Sequence, residues 1–176
     1  MRLFAAIELP AHVRKAVLDL QSGLRSGVAG VRWVQPENLH LTLVFFGEVS
    51  DPERLSRCIG AAAYTGLDSL ILEDVRGYPE RRPRVIVIDV ADDGGVLARL
   101  VAEVKRRTVD WPSDERPFRA HVTLGRVKNP GAVGHDDLRS SRPAGIEWKP
   151  EEFVLFESRL TNSGSVYRPI ERYPLI

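Results

Sequence analysis

His40-Leu41-Thr42-Leu43 and His121-Val122-Thr123-Leu124 are two copies of one tetrapeptide pattern, and between them they hold two of the chain's four histidines. In an extended strand alternate side chains share a face. Each copy therefore turns its His and Thr to one side and its apolar residues, Leu41 and Leu43 or Val122 and Leu124, to the other. The copies begin close to half of the 176-residue chain apart, the spacing expected if a unit of strands and helices was duplicated and fused. Pseudo-two-fold symmetry follows, with a central cleft into which both strands project an imidazole and a hydroxyl.

The elements around the motifs repeat in the same order. Leu3 to Leu9 reads as a strand, and Pro10 opens a helix with Val13, Ala16, Val17, Leu20 and Leu24 at helical spacing. Val31 to Val34 is a short strand, Gln35 to Asn38 a turn, and Leu39 to Phe46 the strand of the first motif. Asp51 caps a helix from Pro52 to about Tyr64, and Leu67 to Val75 is the strand after it. In the second half Arg84 to Val90 is a β-branched strand, Gly94-Gly95 a break, Val96 to Val109 a helix, and Phe118 to Val127 the strand of the second motif. A Gly- and Pro-rich loop with one short helix spans Asn129 to Pro143, before strands near Phe153 to Arg159 and Val166 to Tyr173. The expected architecture is a single α+β domain over residues 1–176, with lobes at about 1–78 and 84–176 that exchange terminal strands.

The hydrophobic share of 43% is enough for a buried core. Twenty-five basic residues against 24 acidic ones leave a charge of +1, which excludes a protein that holds duplex nucleic acid mainly by neutralising phosphates, so phosphate recognition has to be local. The single cysteine, Cys58, rules out an intrachain disulfide and any multi-cysteine metal site, and it reads as a small packing residue on a helix. The apolar run at the N-terminus is broken by Glu8 and Pro10, too short for a signal-peptide core or a membrane span. A cytoplasmic monomer is the expectation.

Imidazole gives or takes a proton near neutral pH. Two of them on opposite sides of a phosphorus suit an in-line displacement, one activating the nucleophile and one protonating the leaving oxygen. Thr42 and Thr123 can donate hydrogen bonds to the non-bridging oxygens. The arrangement requires no metal and no cofactor, and neither motif has a carboxylate or cysteine at ligand spacing on its His face. One such motif alone would read as a buried strand whose Thr is there for β propensity. Two with the same parity, at matching places, make that account a coincidence.

Neighbouring residues extend the site. Arg119 has the parity of His121, which places it in the same space to hold a phosphate oxygen, with a surface ion pair as the equal alternative. Arg126 has the opposite parity, but a strand end or bulge at Gly125 re-aims it toward the cleft. Phe46 shares the parity of His40 and is a candidate for stacking on a base, although core packing is the reading that its residue type favours. Arg81, Arg82 and Arg84 either rim the site or form a solvated loop. His12 and His135, which lack a Thr partner, read as ordinary exposed residues, and Ser163 and Ser165 as loop residues.

The chain resembles the two-histidine phosphoesterase superfamily, specifically the bacterial and archaeal RNA 2′,3′-cyclic phosphodiesterases also called 2′-5′ RNA ligases. The resemblance rests on the opening Arg-Leu-Phe-Ala-Ala-Ile, on Arg32-Trp33-Val34 through Leu43, and on Phe45 to Gly47. It continues in Arg116-Pro117-Phe118-Arg119 before His121 to Arg126, and in the closing Ser-Val-Tyr-Arg and Tyr173-Pro174-Leu175. Ala120 stands where the family often has Pro, and Phe46 where it often has Leu. The resemblance implies two antiparallel sheets flanking the cleft, and metal-independent hydrolysis of a terminal 2′,3′-cyclic phosphate to a 2′-phosphomonoester. The reverse reaction, 2′-5′ joining of RNA ends, would use the same groups. It assigns His40 as proton donor to the 3′ oxygen and His121 as the acceptor that activates water. The rival readings are a non-catalytic RNA-end or nucleotide-binding module, and a phosphodiesterase for another substrate such as a cyclic ADP-ribose phosphate or a 2′-5′ oligoadenylate.

Overall fold

In the computed structural model the described residues are all but 62, 63, 67, 115, 132, 135, 140 to 142, 144 and 163, with the backbone alone at 136 and 139. His135 and Ser163 therefore lie outside the described residues. The chain runs β1 (Arg2–Glu8), α1 (Ala11–Gly27), β2 (Val31–Trp33), β3 (His40–Glu48), α2 (Pro52–Gly60) and β4 (Leu70–Tyr78). The second half follows with β5 (Val85–Ala91), α3 (Val96–Arg107), β6 (His121–Val127), α4 (Asp136–Arg139), β7 (Glu147–Trp148), β8 (Glu152–Thr161) and β9 (Gly164–Pro174).

Two antiparallel layers, β3-β1-β8-β9 and β7-β4-β5-β6 with β2 on the far end of β6, join into one curled sheet. The join is a single backbone pair, Leu41 opposite Val122. These are the equivalent residues of the two motifs, so the local two-fold axis passes through that pair. Strands also cross between halves: β8 and β9 complete the layer of β1 and β3, while β4 lies in the layer of β5 and β6.

Helices form where the apolar positions recur at helical spacing. Helix α1 buries Val13, Val17, Gln21 and Leu24, and α3 buries Leu97, Leu100, Val101 and Val104. Asp51 caps α2, its Oδ1 accepting from the Arg54 amide at 2.9 Å, and the carboxylate of Asp92 accepts from the amides of Leu97 and Ala98 at the start of α3. Helix α2 stops at Gly60, short of Tyr64, and β4 runs on to Tyr78, through the stretch where the sequence suggests a seam. Each half's first helix sits behind the other half's motif strand: α3 packs on β3, and Gln21 of α1 reaches Leu124 of β6. The core lies between helices and sheet, opposite the cleft, and takes in Leu41, Leu43, Val122 and Leu124.

Both motif strands bulge at the same place. Against β1, Thr42 pairs with Ala6 and Val44 with Ala5, leaving Leu43 without an opposite. Against β5, Thr123 pairs with Val87 and Gly125 with Ile86, leaving Leu124 out. One extra residue reverses the facing of everything beyond it. The freed Leu124 carbonyl is not left unpaired, since it accepts from the Val34 amide at 2.9 Å and from Gln21 Nε2 at 2.8 Å. Gly125 is obligatory beside it: a Cβ there would lie 2.5 Å from Val31 Cγ1, so a side chain would push β2 off β6.

Candidate active site

The pair Leu41–Val122 runs antiparallel, so its register sets His40 beside Thr123 and Thr42 beside His121 on the face away from the core. The histidines are then diagonal neighbours, with backbones about 7–8 Å apart, a separation that leaves room for one phosphoryl group between the rings. A cavity of about 240 Å³ opens here, lined by His40, Thr42 and Thr123 among others, with His121 outside that lining.

Each ring is oriented by the backbone two residues before it. His40 Nδ1 lies 2.8 Å from the Asn38 carbonyl and His121 Nδ1 2.8 Å from the Arg119 carbonyl. A carbonyl only accepts, so in both rings Nδ1 holds the hydrogen and Nε2 is left to exchange protons. His40 Nε2 is 2.9 Å from Thr42 Oγ1. Among the described residues no protein group bonds His121 Nε2 or the Thr123 hydroxyl.

The two histidines differ in surroundings. His40 is wedged against Phe4 and Tyr167, with ring centroids 5.0 and 5.3 Å away. This burial lowers its pKa below the ordinary 6.5, the Asn38 carbonyl raises it, and the charge of His121 lowers it.

Beyond the bulges the sequence expectations part company with the fold. The residue five after each His turns into the cleft: Arg126 in β6 and Phe45 in β3 both line the cavity. Arg126 enters by the bulge expected near Gly125. Phe46 does not enter. It is 1% exposed in the core, because the bulge at Leu43 reverses the alternation and brings Phe45 opposite Phe4 instead. The equivalent of Gly125 in the first motif is Val44, so the sequence carries no matching sign of this bulge. Arg2, whose guanidinium lies 5.0 Å over the Phe45 ring, also lines the cavity. Among the described residues no carboxylate contributes to this lining, so the cleft is suited to an anion.

Arg119 takes the ion-pair reading and not the phosphate-holding one. It precedes β6 in irregular backbone, where strand parity does not apply, and its guanidinium pairs with Asp89 at 2.9 Å and stacks over Tyr78 at 4.6 Å. It is not among the residues lining the cavity. Arg81, Arg82 and Arg84 are exposed and also outside that lining. His12 is exposed, its Nε2 3.2 Å from the Glu147 carbonyl.

The exchange of Phe45 for Phe46 is testable. Phe46→Ala is expected to cost about 3–5 kcal/mol of stability, as for a buried aromatic ring, read as a lowered denaturation midpoint. Phe45→Ala should leave stability nearly unchanged. If Phe45 stacks on a base, its loss raises KM about five- to a hundredfold. Equal KM values for wild type and Phe45→Ala would remove this ring from substrate binding.

A duplicated α+β fold that sets one His-x-Thr pair from each half side by side, at an anion-suited cleft, is that of the two-histidine phosphoesterases. Comparison with known proteins agrees, for the LigT-like phosphoesterase model matches twice in succession, over residues 7–87 and 88–167. The chain belongs to the LigT-like phosphoesterase family. It is 36% identical to the RNA 2′,3′-cyclic phosphodiesterase of Archaeoglobus fulgidus, covering 97% of this chain and 98% of that protein. It is 30% identical to the Escherichia coli protein of the same name, covering 99% and 96%. Among solved structures, E. coli LigT complexed with 3′-AMP superposes with a TM-score of 0.83 at 30% identity, covering 99% of this chain and 97% of that one. No helix among the described residues is long and apolar enough to cross a membrane.

Proposed function

We propose that this protein hydrolyses the 2′,3′-cyclic phosphate at the end of an RNA or nucleotide to a 2′-phosphomonoester, without a metal. One observation carries the reading above the rest: both rings have Nδ1 tied to a backbone carbonyl, leaving two Nε2 atoms for one phosphoryl group. The names of the relatives support the substrate class, and the 3′-AMP complex of E. coli LigT supports nucleotide binding in this fold.

In the proposed step water attacks phosphorus and the P–O3′ bond breaks. His121 Nε2 takes the water proton and His40 Nε2 gives its proton to O3′, so each ring ends in the other's starting state and solvent exchange resets them. The Thr42 and Thr123 hydroxyls and the Arg126 guanidinium meet the charge that gathers on the non-bridging oxygens. When a 5′-hydroxyl takes the place of water, His121 Nε2 takes its proton, the P–O3′ bond breaks with a proton from His40, and a 2′-5′ phosphodiester forms; the excess of water favours hydrolysis. The protein acts as a cytoplasmic monomer in this reading.

The experiment is incubation with a 2′,3′-cyclic nucleotide and with a cyclic-ended oligoribonucleotide, in chelator, followed by phosphorus NMR. A 2′-phosphomonoester is the expected product. An unchanged cyclic phosphate leaves only a binding module, and activity abolished by chelator overturns the metal-free step. Run against pH, kcat/KM should be bell-shaped, its two pKa values belonging to the coupled pair. Because the His40 cation is disfavoured, the acidic limb should fall below pH 6.5, whichever ring acts as base. A profile with both limbs above that value would contradict the environment described for His40.

A further inference from the structure

None of the proton transfers proposed for the cleft uses Asp89, yet this carboxylate lies on β5 directly opposite His121 and is 6% exposed. A buried carboxylate is retained only with partners that offset its desolvation. Here they are Arg119 Nη2 at 2.9 Å and Arg76 Nε at 2.8 Å, with the Tyr78 hydroxyl 3.5 Å away. The Arg119 side chain is thus held by a carboxylate at its edge and by the Tyr78 ring on its face. Its backbone belongs to no strand. Its carbonyl is nevertheless the acceptor that orients His121.

The first half solves the same problem with different groups. The carbonyl of Asn38 orients His40, and the Asn38 side chain is tied to β9, its Nδ2 donating to the Ser165 carbonyl at 2.7 Å. In each half the residue two before the histidine presents its backbone to the ring and is anchored by its side chain to a neighbouring strand. Such a carbonyl sets which nitrogen holds the proton only if it stays in place.

We infer that Asp89 is a positioning residue for His121: it anchors Arg119, so that the Arg119 carbonyl keeps the His121 proton on Nδ1 and leaves Nε2 facing the substrate. Asn38 does this for His40 through Ser165. The inference rests on the two-histidine reading above and adds to it how the second ring is held.

Asp89→Asn removes the charge with little change of shape, and Arg119→Met removes the clamp from the other side. Each is expected to lower kcat about ten- to a hundredfold, the effect of a slightly misplaced reacting group, with KM within about twofold. The double variant should lose no more than the worse single one, since both act through one contact. Nitrogen-15 NMR of the His121 ring at alkaline pH should show Nδ1 protonated in the wild type and a mixture of tautomers in either variant. If Asp89→Asn does not fold, Arg119→Met, whose side chain is 54% exposed, carries the test. A His121 ring still protonated at Nδ1 together with unchanged kcat, or losses that multiply in the double variant, would overturn the inference. A wild-type protein inactive on every cyclic phosphate would instead sink the hydrolysis reading, and the NMR comparison would still decide whether Asp89 orients the ring.

Discussion

His40→Ala and His121→Ala should each lower kcat on a 2′,3′-cyclic nucleotide by about 10²–10⁴, the range for loss of a general acid or base, with much smaller changes in KM. Because the two rings serve one displacement, the double variant should be little worse than either single one. A phosphodiester whose leaving group is p-nitrophenolate separates their roles. That oxygen departs without needing a proton, so the variant lacking the acid should recover most of its lost rate and the variant lacking the base should not. Recovery in His40→Ala supports the assignment carried over from the family. Recovery in His121→Ala alone reverses it, and full activity of either variant on the cyclic substrate removes the two-histidine mechanism. Both side chains are half-buried on a cleft face, so circular dichroism should show each variant folded.

The second large effect is expected at Thr123. Its hydroxyl has no protein partner among the described residues and lines the same cavity as His40, which leaves it available to a phosphate oxygen. Thr123→Val conserves shape and removes the donor, so kcat should fall roughly ten- to a thousandfold, the range for one donor aimed at developing charge. Thr123→Ser should restore most of the rate. Thr42 differs, because its oxygen is already 2.9 Å from His40 Nε2. When His40 is protonated that oxygen accepts, and the hydroxyl hydrogen is free for substrate. Thr42→Val should therefore also disturb the titration of His40, which ring NMR signals report, whereas Thr123→Val should lower the rate alone. An undiminished rate in Thr123→Val would return this residue to strand packing.

Much of this was legible in the chain itself. The repeated His-x-Thr-x pattern implies a duplicated fold, because a period of two needs only a strand to turn its polar residues one way. The apolar spacing along Val13 to Leu24 and Leu97 to Val104 placed the helices for a similar local reason. Phe46 took the core-packing reading and not the base-stacking one, because parity survives only while the ladder is regular. A bulge depends on the neighbouring strand's register, which no residue of β3 encodes alone.

Arg119 took its ion-pair reading for a related reason. Strand parity assumes a strand, but β6 starts at His121, and an arginine just before it goes to the nearest buried carboxylate. That carboxylate is Asp89, on a different strand. Local periodicity, determined by the sequence alone, supplied the two motifs, the helices and the faces of the histidines. Pairing between distant strands decided the rest. The single Leu41–Val122 contact sets the histidines side by side, the matched bulges bring in Phe45 and Arg126, and Asp89 faces His121. Each of these depends on which backbone lies opposite which, a choice made by packing the whole sheet.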